Sequence, residues 1–361
     1  MIAVTGIGAI SALGDSPDEL FARLCAGETA LRAVEGFPAK GPAAALSLRT
    51  TSTDLALRVA RQAMPSVLPD TAVIGASTAG DMCVGEKAFA RRLAGEALEE
   101  PSELLFAQLC HQPARAVAAA IEAPLTFTLS TACTSGLCAI GAAADLVRTG
   151  VVPRALALGA DALCDITLAG FGTLGVYAPE PCRPFDVDRQ GMNIGEGAAA
   201  LLLEDLSAAR ARNAPILAIL EGYADTSDAH HLSAPQPEGE GAVRAIRAVL
   251  STPVQYVNAH ATATQLNDAM EAKALAAAVP GAAVSGSKGG FGHTLGAAGA
   301  LEAVVAIQAL RQQRMPPTVG CRTPESELDI VLSARDSKID AALTVNFAFG
   351  GNNAAALFRG A

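Results

Sequence analysis

LTFTLSTACTSGLCAIGAAADLV, residues 125–147, decides the fold. Leu125 to Leu129 is an apolar, β-branched run that reads as a buried strand. Small residues follow from Ser130 to Ala132, then Cys133. From Thr134 small and apolar residues recur at helical spacing, with no proline, as far as Gly150. Cys133 therefore stands where a strand turns tightly into a buried helix. The first N–H groups of a helix are unpaired and its dipole is positive there. A thiol at that point is expected to ionise more easily, and the thiolate is the nucleophile. A buried structural cysteine accounts for the same stretch equally well.

Working outward, the strand-then-helix texture recurs. Ile2 to Thr5 predicts a strand, followed by a glycine-rich loop, GIGAISALG. That loop lacks the third glycine and the later acidic residue of a dinucleotide site, so it reads as a packing turn. Helices are expected over 18–26, 54–64 and within 101–121, and strands over 71–75, 155–159 and 198–204. Residues 27–50 read as irregular, and a long loop precedes residue 198. After a charged helix beyond Leu206 the pattern begins again, with a strand over 215–224, a helix over 241–250 and a strand over 254–257. SGSKGGFGHTLGAAGALEAVVAIQAL (285–310) then gives strand, loop and small-residue helix, as around Cys133. GEGAAALLLE (195–204) and GGNNAAALFRG (350–360) close the two parts alike. Two related α/β halves are expected, 1–206 and 215–361, joined near 207–214.

Composition narrows the function. Of the 361 residues 51% are hydrophobic but only 4% aromatic, which suits a large core of closely packed small side chains. A formal net charge of −10 argues against nucleic acid or acidic lipid as a partner. Eight scattered cysteines, with no CxxC pair, fit a reducing cytoplasm better than a disulfide scaffold. The N-terminus lacks the basic start and cleavage site of a signal peptide, and no apolar run is long enough for a membrane span.

The second half carries VNAHATATQLND (257–268) and the 285–310 segment. His260 ends a strand and enters a loop with Thr262 and Thr264. His293 lies between Gly292 and Thr294, five residues after Lys288. Each alone has a dull explanation: a satisfied histidine, a solvated lysine. Together they sit in small-residue loops after strands, which line the ligand crevice in α/β folds. The metal reading is poor, because His230 and His231 are adjacent and no carboxylate pattern surrounds them.

VTGIGAIS (4–11), STACTSG (130–136), CRPFDVDRQGMNIGEGAAALLLE (182–204), VNAHATAT, SKGGFGHTLGAAGALEA (287–303) and NFAFGGNNAAALF (346–358) occur in one order across almost the whole chain. In these the chain closely resembles the elongating β-ketoacyl-[acyl carrier protein] synthases, relatives of thiolases. The resemblance implies a five-layer αβαβα thiolase-like fold with two duplicated halves and decarboxylative Claisen condensation. It implies a dimer, with itself or with a ketosynthase paralogue. It implies no metal, flavin or nicotinamide, since the phosphopantetheine arm arrives on the acyl carrier protein. By the same resemblance Cys133 matches the acyl-accepting nucleophile, His260 and His293 the catalytic histidines, Lys288 the site lysine, and Glu302 a buried glutamate supporting it. Thr262 and Thr264 match threonines that hold the phosphopantetheine arm. Phe349 matches a gating phenylalanine whose backbone N–H helps form an oxyanion hole.

Some positions depart from that pattern. Ala261 stands where the family has glycine, which strains the loop if φ there is positive. The lysine loop reads SKGGFGH, and the chain is shortened mainly within residues 27–115, the region that caps the pocket. ASTAGD puts Thr78 near the acyl tail; a small polar lining would suit an unsaturated or aryl-bearing chain, as in aryl polyene synthases. Arg49, Arg58, Arg61, Arg91, Arg92 and Arg115 are candidates for attracting an acidic carrier, and equally for ordinary solvated helix faces. Two alternatives stand beside the condensing enzyme. A coenzyme A thiolase is disfavoured by Lys288 and by Cys321 lying outside any glycine-rich motif. A non-catalytic, chain-length-factor-like partner is disfavoured by the presence of Cys133.

Overall fold

The computed structural model describes residues 1–34, 41–46, 50–97 and 105–361. Arg49, residues 101–104 and parts of the irregular 27–50 stretch lie outside that set. The strands are β1 (Ile2–Ser11), β2 (Thr71–Ala76), β3 (Thr126–Leu129), β4 (Arg154–Asp161), β5 (Gly197–Asp205), β6 (Ala218–Ser227), β7 (Tyr256–Ala259), β8 (Ala283–Gly286), β9 (Arg314–Met315), β10 (Asp329–Ile330), β11 (Arg335–Asp336), β12 (Ala341–Phe347) and β13 (Asn352–Arg359). The helices are α1 (Pro17–Cys25), α2 (Ser52–Ala63), α3 (Met82–Leu93), α4 (Gln112–Ala120), α5 (Ser135–Arg148), α6 (Asp165–Thr173), α7 (Leu206–Ala211), α8 (Glu240–Val249), α9 (Gln265–Ala278), α10 (Lys288–Phe291) and α11 (Ala298–Gln312).

Eleven strands form one sheet in the order β10-β8-β7-β12-β13-β6-β1-β5-β4-β2-β3. Each side of the β6–β1 junction repeats a pattern: antiparallel strands near the junction, then parallel strands outward. The junction itself is short, pairing only Ile2, Ala3 and Val4 with Leu220, Ile219 and Ala218. Beyond it the half-sheets separate, and α5 and α11 fill the space between them, each touching strands of both. Outside, α2 and α4 cover the first half-sheet, and α8 with α9 covers the second. The result is the layer order αβαβα.

The sequence explains the middle layer. Every residue of α11 from Ala298 to Leu310 is buried, and apart from Glu302 and Gln308 these residues are small or apolar on all faces, as suits a helix sandwiched between sheets. Small residues let it approach α5 closely. A Cβ on Gly299 would sit 2.7 Å from the Leu137 backbone nitrogen.

Three expectations are corrected. The stretch Leu125–Leu129 is not a buried strand: among the described residues β3 pairs only with β2, at the edge of the sheet, and Phe127 is 36% exposed. Its apolar character serves a surface, not the core. GIGAIS is not a loop, because β1 runs unbroken to Ser11. Its glycines permit close packing of α2: a Cβ on Gly6 would lie 1.9 Å from the Ala63 carbonyl oxygen, and one on Gly8 2.2 Å from that of Val59. The long loop before residue 198 contains α6, which has only Leu168 buried and no side-chain cap. Without amphipathic spacing or a capping residue it left no local signal. Unassigned α3 and α9 also emerge.

Candidate active site

β3 ends at Leu129, and the chain turns through Ala132, at φ 53°, into α5. A non-glycine residue pays for that left-handed conformation, and local hydrogen bonds hold it. The Ser135 hydroxyl donates to the Ala132 carbonyl at 2.6 Å and accepts from the Thr131 N–H at 2.8 Å, while the Thr134 hydroxyl donates to the Thr131 carbonyl at 2.7 Å. Cys133 is thereby presented, half-buried, where two cavities meet.

The second half delivers the other groups to that point. β7 ends at Ala259, so His260 leads the following loop. β8 ends at Gly286, so Lys288 opens α10, and His293 lies just beyond it. The Cys133 sulfur and one ring nitrogen of each histidine lie within 4.8 Å of one another. His293 Nε2 is 3.1 Å from the sulfur, and the two imidazoles meet edge to face with centroids 5.4 Å apart. Lys288 is not the solvated lysine its loop suggests: it is 1% exposed. Its ammonium pairs with Glu302 and donates to the His260 carbonyl and, at 3.1 Å, to His260 Nδ1.

These contacts settle the tautomers. His260 Nδ1 faces two donors, Lys288 Nζ and the Asn346 side-chain amide at 2.9 Å. The Asn346 amide also donates to Glu302 at 2.6 Å, which fixes which way it points. His293 Nδ1 accepts the Leu295 N–H at 3.1 Å. Both Nδ1 atoms are acceptors, so both Nε2 atoms carry the proton. Burial, then the Lys288 charge, hold both imidazoles well below the ordinary histidine pKa, so they are neutral donors. Cys133, His260 and His293 are also a donor set a metal can use. Yet metal-bound histidines normally give their other N–H to a carboxylate or carbonyl, and here both second nitrogens receive N–H groups instead. Asn346 was not singled out from sequence. Its signal was its place opening NFAFGG, but nothing local tied it to His260, 86 positions earlier.

The thiol departs from expectation. The N–H groups of Phe349 and of Cys133 itself point at the sulfur, and Lys288 is near, and each favours the thiolate. Burial outweighs them and pushes the thiol up to about 11. The helix N-terminus alone does not make it acidic.

One cavity, of about 480 Å³, runs from Cys133 past both histidines and is lined by Thr262, Thr264 and Asn267. The Thr262 and Thr264 hydroxyls are 3.0 Å apart, and Thr264 caps α9. Ala261 does take positive φ, 44°, as does Ala263 at 65°. Glu271 restrains the loop by accepting the His260 and Ala261 N–H groups at 2.6 and 2.7 Å. The extra methyl is accommodated because residue 286 is glycine, where a Cβ would lie 2.4 Å from the Ala261 Cβ.

The other cavity, of about 550 Å³, extends from Cys133 between Met82, Ile166, Leu174 and Leu295. Thr78 borders it as expected, and because its hydroxyl donates to Asp161 at 2.9 Å it offers the cavity an acceptor oxygen and not a proton. Phe349 stands between the cavities, its ring stacked on Phe171 at 6.2 Å and 28°. Of the arginines expected to meet a carrier, Arg58 pairs with Asp15 and Arg91 with Glu96, and all five described ones are exposed.

Comparison with known proteins gives the family. The family described as Beta-ketoacyl synthase, N-terminal domain, matches residues 115–209, and Beta-ketoacyl synthase, C-terminal domain, matches 217–322. Between them they cover more than half of the chain. The 3-oxoacyl-[acyl-carrier-protein] synthase 2 of Synechocystis sp. is 38% identical over 249 residues, 63% of this chain and 60% of that protein. The chain thus spans about 60% of the length of the curated relative it matches. Among solved structures, the ishigamide ketosynthase/chain length factor has a TM-score of 0.91 and 30% identity, covering 100% of this chain and 99% of that one. A type II PKS acyl-carrier protein in complex with its ketosynthase bound to the hexaketide has a TM-score of 0.90 and 25% identity, covering 100% and 99%.

Proposed function

The chain belongs to the β-ketoacyl synthase family, and from that premise we propose that it joins an acyl group held on Cys133 to a malonyl unit carried by an acyl carrier protein. The product is a β-ketoacyl-acyl carrier protein. The observation that carries this reading is the convergence of the Cys133 sulfur and two Nε2–H donors between two cavities.

In the first step the Cys133 sulfur attacks the carrier thioester. The new C–S bond replaces the old one, and the carrier thiol leaves with the proton that Cys133 gave up. The N–H groups of Cys133 and Phe349 hold the tetrahedral oxyanion; one such donor is worth roughly 3–4 kcal/mol. In the second step a malonyl carrier enters past Thr262 and Thr264. Its C–CO2 bond breaks, and the electron pair becomes an enolate whose oxygen His260 and His293 stabilise. The carbanion attacks the acyl carbonyl, the Cys133 sulfur leaves, and one proton is taken up. Lys288, paired with Glu302, serves His260 as an electrostatic and hydrogen-bonding organiser rather than as a general base. The phosphopantetheine arm comes with the carrier, so the reaction calls on no resident cofactor.

The exposed edge strand β3 suits a dimer, with a second copy or with a ketosynthase paralogue. A reducing cytoplasm suits eight cysteines that are all free. Fatty acid, polyketide and aryl polyene elongation all fit the apolar second cavity. The alternative is a chain-length-factor-like subunit, in which a thiol that burial keeps in its protonated form would carry no acyl group. Mass spectrometry of the protein incubated with acyl carrier decides between them. A thioester on Cys133, absent from Cys133→Ala, supports the enzyme; its absence under conditions where the carrier docks supports the partner subunit.

A further inference from the structure

Asp161 ends β4 as a fully buried carboxylate and takes no part in the steps above. It has no cation partner among the described residues. Its donors are all neutral, and they come from two different segments. From the loop after β2 it accepts the Ser77 hydroxyl at 2.6 Å, the Thr78 N–H and hydroxyl at 3.1 and 2.9 Å, and the Ala79 N–H at 3.0 Å. From the segment after His293 it accepts the Gly296 N–H at 2.7 Å.

Both segments border the reaction. Thr78 and Ala79 wall the second cavity beside Cys133. Gly296 follows Leu295, whose N–H fixes the His293 tautomer and whose φ is +53°. The contact is tight: a Cβ on Gly296 would lie 2.8 Å from Asp161 Oδ2 and 3.0 Å from the Thr78 nitrogen. A buried anion is costly unless hydrogen bonds surround it, so it is kept where its geometry matters.

We propose that Asp161 is a positioning residue that holds His293 as a donor and ties it to the wall of the acyl cavity. Oδ2 anchors the strained turn that aims the Leu295 N–H at His293 Nδ1, through the Gly296 N–H, and also takes the Thr78 hydroxyl. Oδ1 anchors the rest of the wall, through the Ser77 hydroxyl and the Ala79 N–H. Asparagine cannot serve both sides, because its NH2 would meet N–H or O–H donors on one of them. Without the anchor the turn relaxes, His293 is free to carry its proton on Nδ1, and Nε2 faces Cys133 as an acceptor. The enolate then loses a donor, whereas acyl loading, which uses the Cys133 and Phe349 N–H groups, does not.

This rests on the proposed condensation, so the test separates the two. Loading and condensation by the unaltered protein test the reaction itself. In Asp161→Asn, loading should stay within about threefold while condensation falls by at least about tenfold, with KM for the malonyl carrier unchanged, and Asp161→Glu should recover part of the loss. Equal loss in both steps, or none, overturns the proposal. A second readout needs no turnover: alkylation of Cys133 by iodoacetamide against pH, followed by mass spectrometry of the peptide. In Asp161→Asn the profile should move to higher pH, because His293 Nε2 no longer donates a hydrogen bond to the thiolate. An unchanged profile overturns the proposal. If Asp161→Asn fails to fold, Ser77→Ala removes one donor and keeps the charge. It should lower the ratio of condensation to loading, and an unchanged ratio overturns the proposal.

Discussion

The Asn346 side-chain amide donates to Nδ1 of His260 at 2.9 Å, across 86 positions of sequence. With Lys288 it leaves His260 no choice of tautomer, and it binds the Glu302 carboxylate with its other hydrogen. A neutral amide and a cation thus make one imidazole a fixed donor. Burial also pushes the Glu302 carboxyl up, and Lys288 and Asn346 are the groups that oppose that shift.

Asn346→Ala removes one of the two donors at Nδ1. Condensation should fall about 10²-fold, the scale of losing one preorganised oxyanion donor. Acyl loading on Cys133 should change far less. Single-turnover measurement of the two steps checks the split, and equal losses would count against the tautomer argument.

The Cys133 thiol, pushed up to about 11, should show an alkylation rate that climbs about tenfold per pH unit from 7 to 10 with no plateau. The sign follows from the thiolate being the reactive form and remaining a minor species throughout that range. A plateau near the ordinary thiol value, about 8.5, would mean that burial does not dominate.

Glu271 holds the His260 loop, and burial with the nearby Asp268 charge pushes its carboxyl up to about 8. The folded state therefore binds this proton more tightly than the unfolded chain. Its contribution to stability is present in full below the ordinary carboxylate range and is lost as pH rises towards about 8. Glu271→Gln should flatten that part of the Tm-against-pH curve. Parallel curves for the two proteins would refute it.

Gly6→Ala should cost about 3 kcal/mol or more, the upper range for overpacking a rigid core. The added methyl meets the Ala63 backbone rather than a movable side chain. Denaturant unfolding reads it directly. A change below about 1 kcal/mol would show that α2 shifts away freely.

Phe127→Lys places a charge on the exposed β3 edge. Charged edge strands resist pairing, so a dimer in the parent should become a monomer by light scattering. Retention of the dimer would move the interface elsewhere.

Much of the architecture was legible in local pattern. Helices with small and apolar residues on nearly every face, such as α11, announce burial, small residues announce close packing, and the strand–turn–helix unit around Cys133 recurs around Lys288. Strand and helix signals depend on neighbours in sequence, so they survive without the fold. Where the local signal was wrong, a distant partner was responsible. GIGAIS carries glycines as a turn does, but they make room for α2. The Leu125–Leu129 run has the apolarity of a core strand, but the sheet ends there. Residues 165–173 carry no amphipathic spacing, so only packing beside the acyl cavity reveals α6.

The sequence by itself determined which residue types were available: one cysteine at a strand-to-helix elbow, two histidines and a lysine in small-residue loops. It also determined the layered α/β class. Only the tertiary structure decided their chemical states. The thiol rises because the folded chain encloses it, the histidines are neutral Nε2–H donors because Asn346, Lys288 and Leu295 meet their other nitrogens, and Asp161 meets Gly296 across 135 positions of sequence. Propensity is a property of neighbours along the chain, whereas pKa and tautomer are set by desolvation and by donors arriving from elsewhere in the fold.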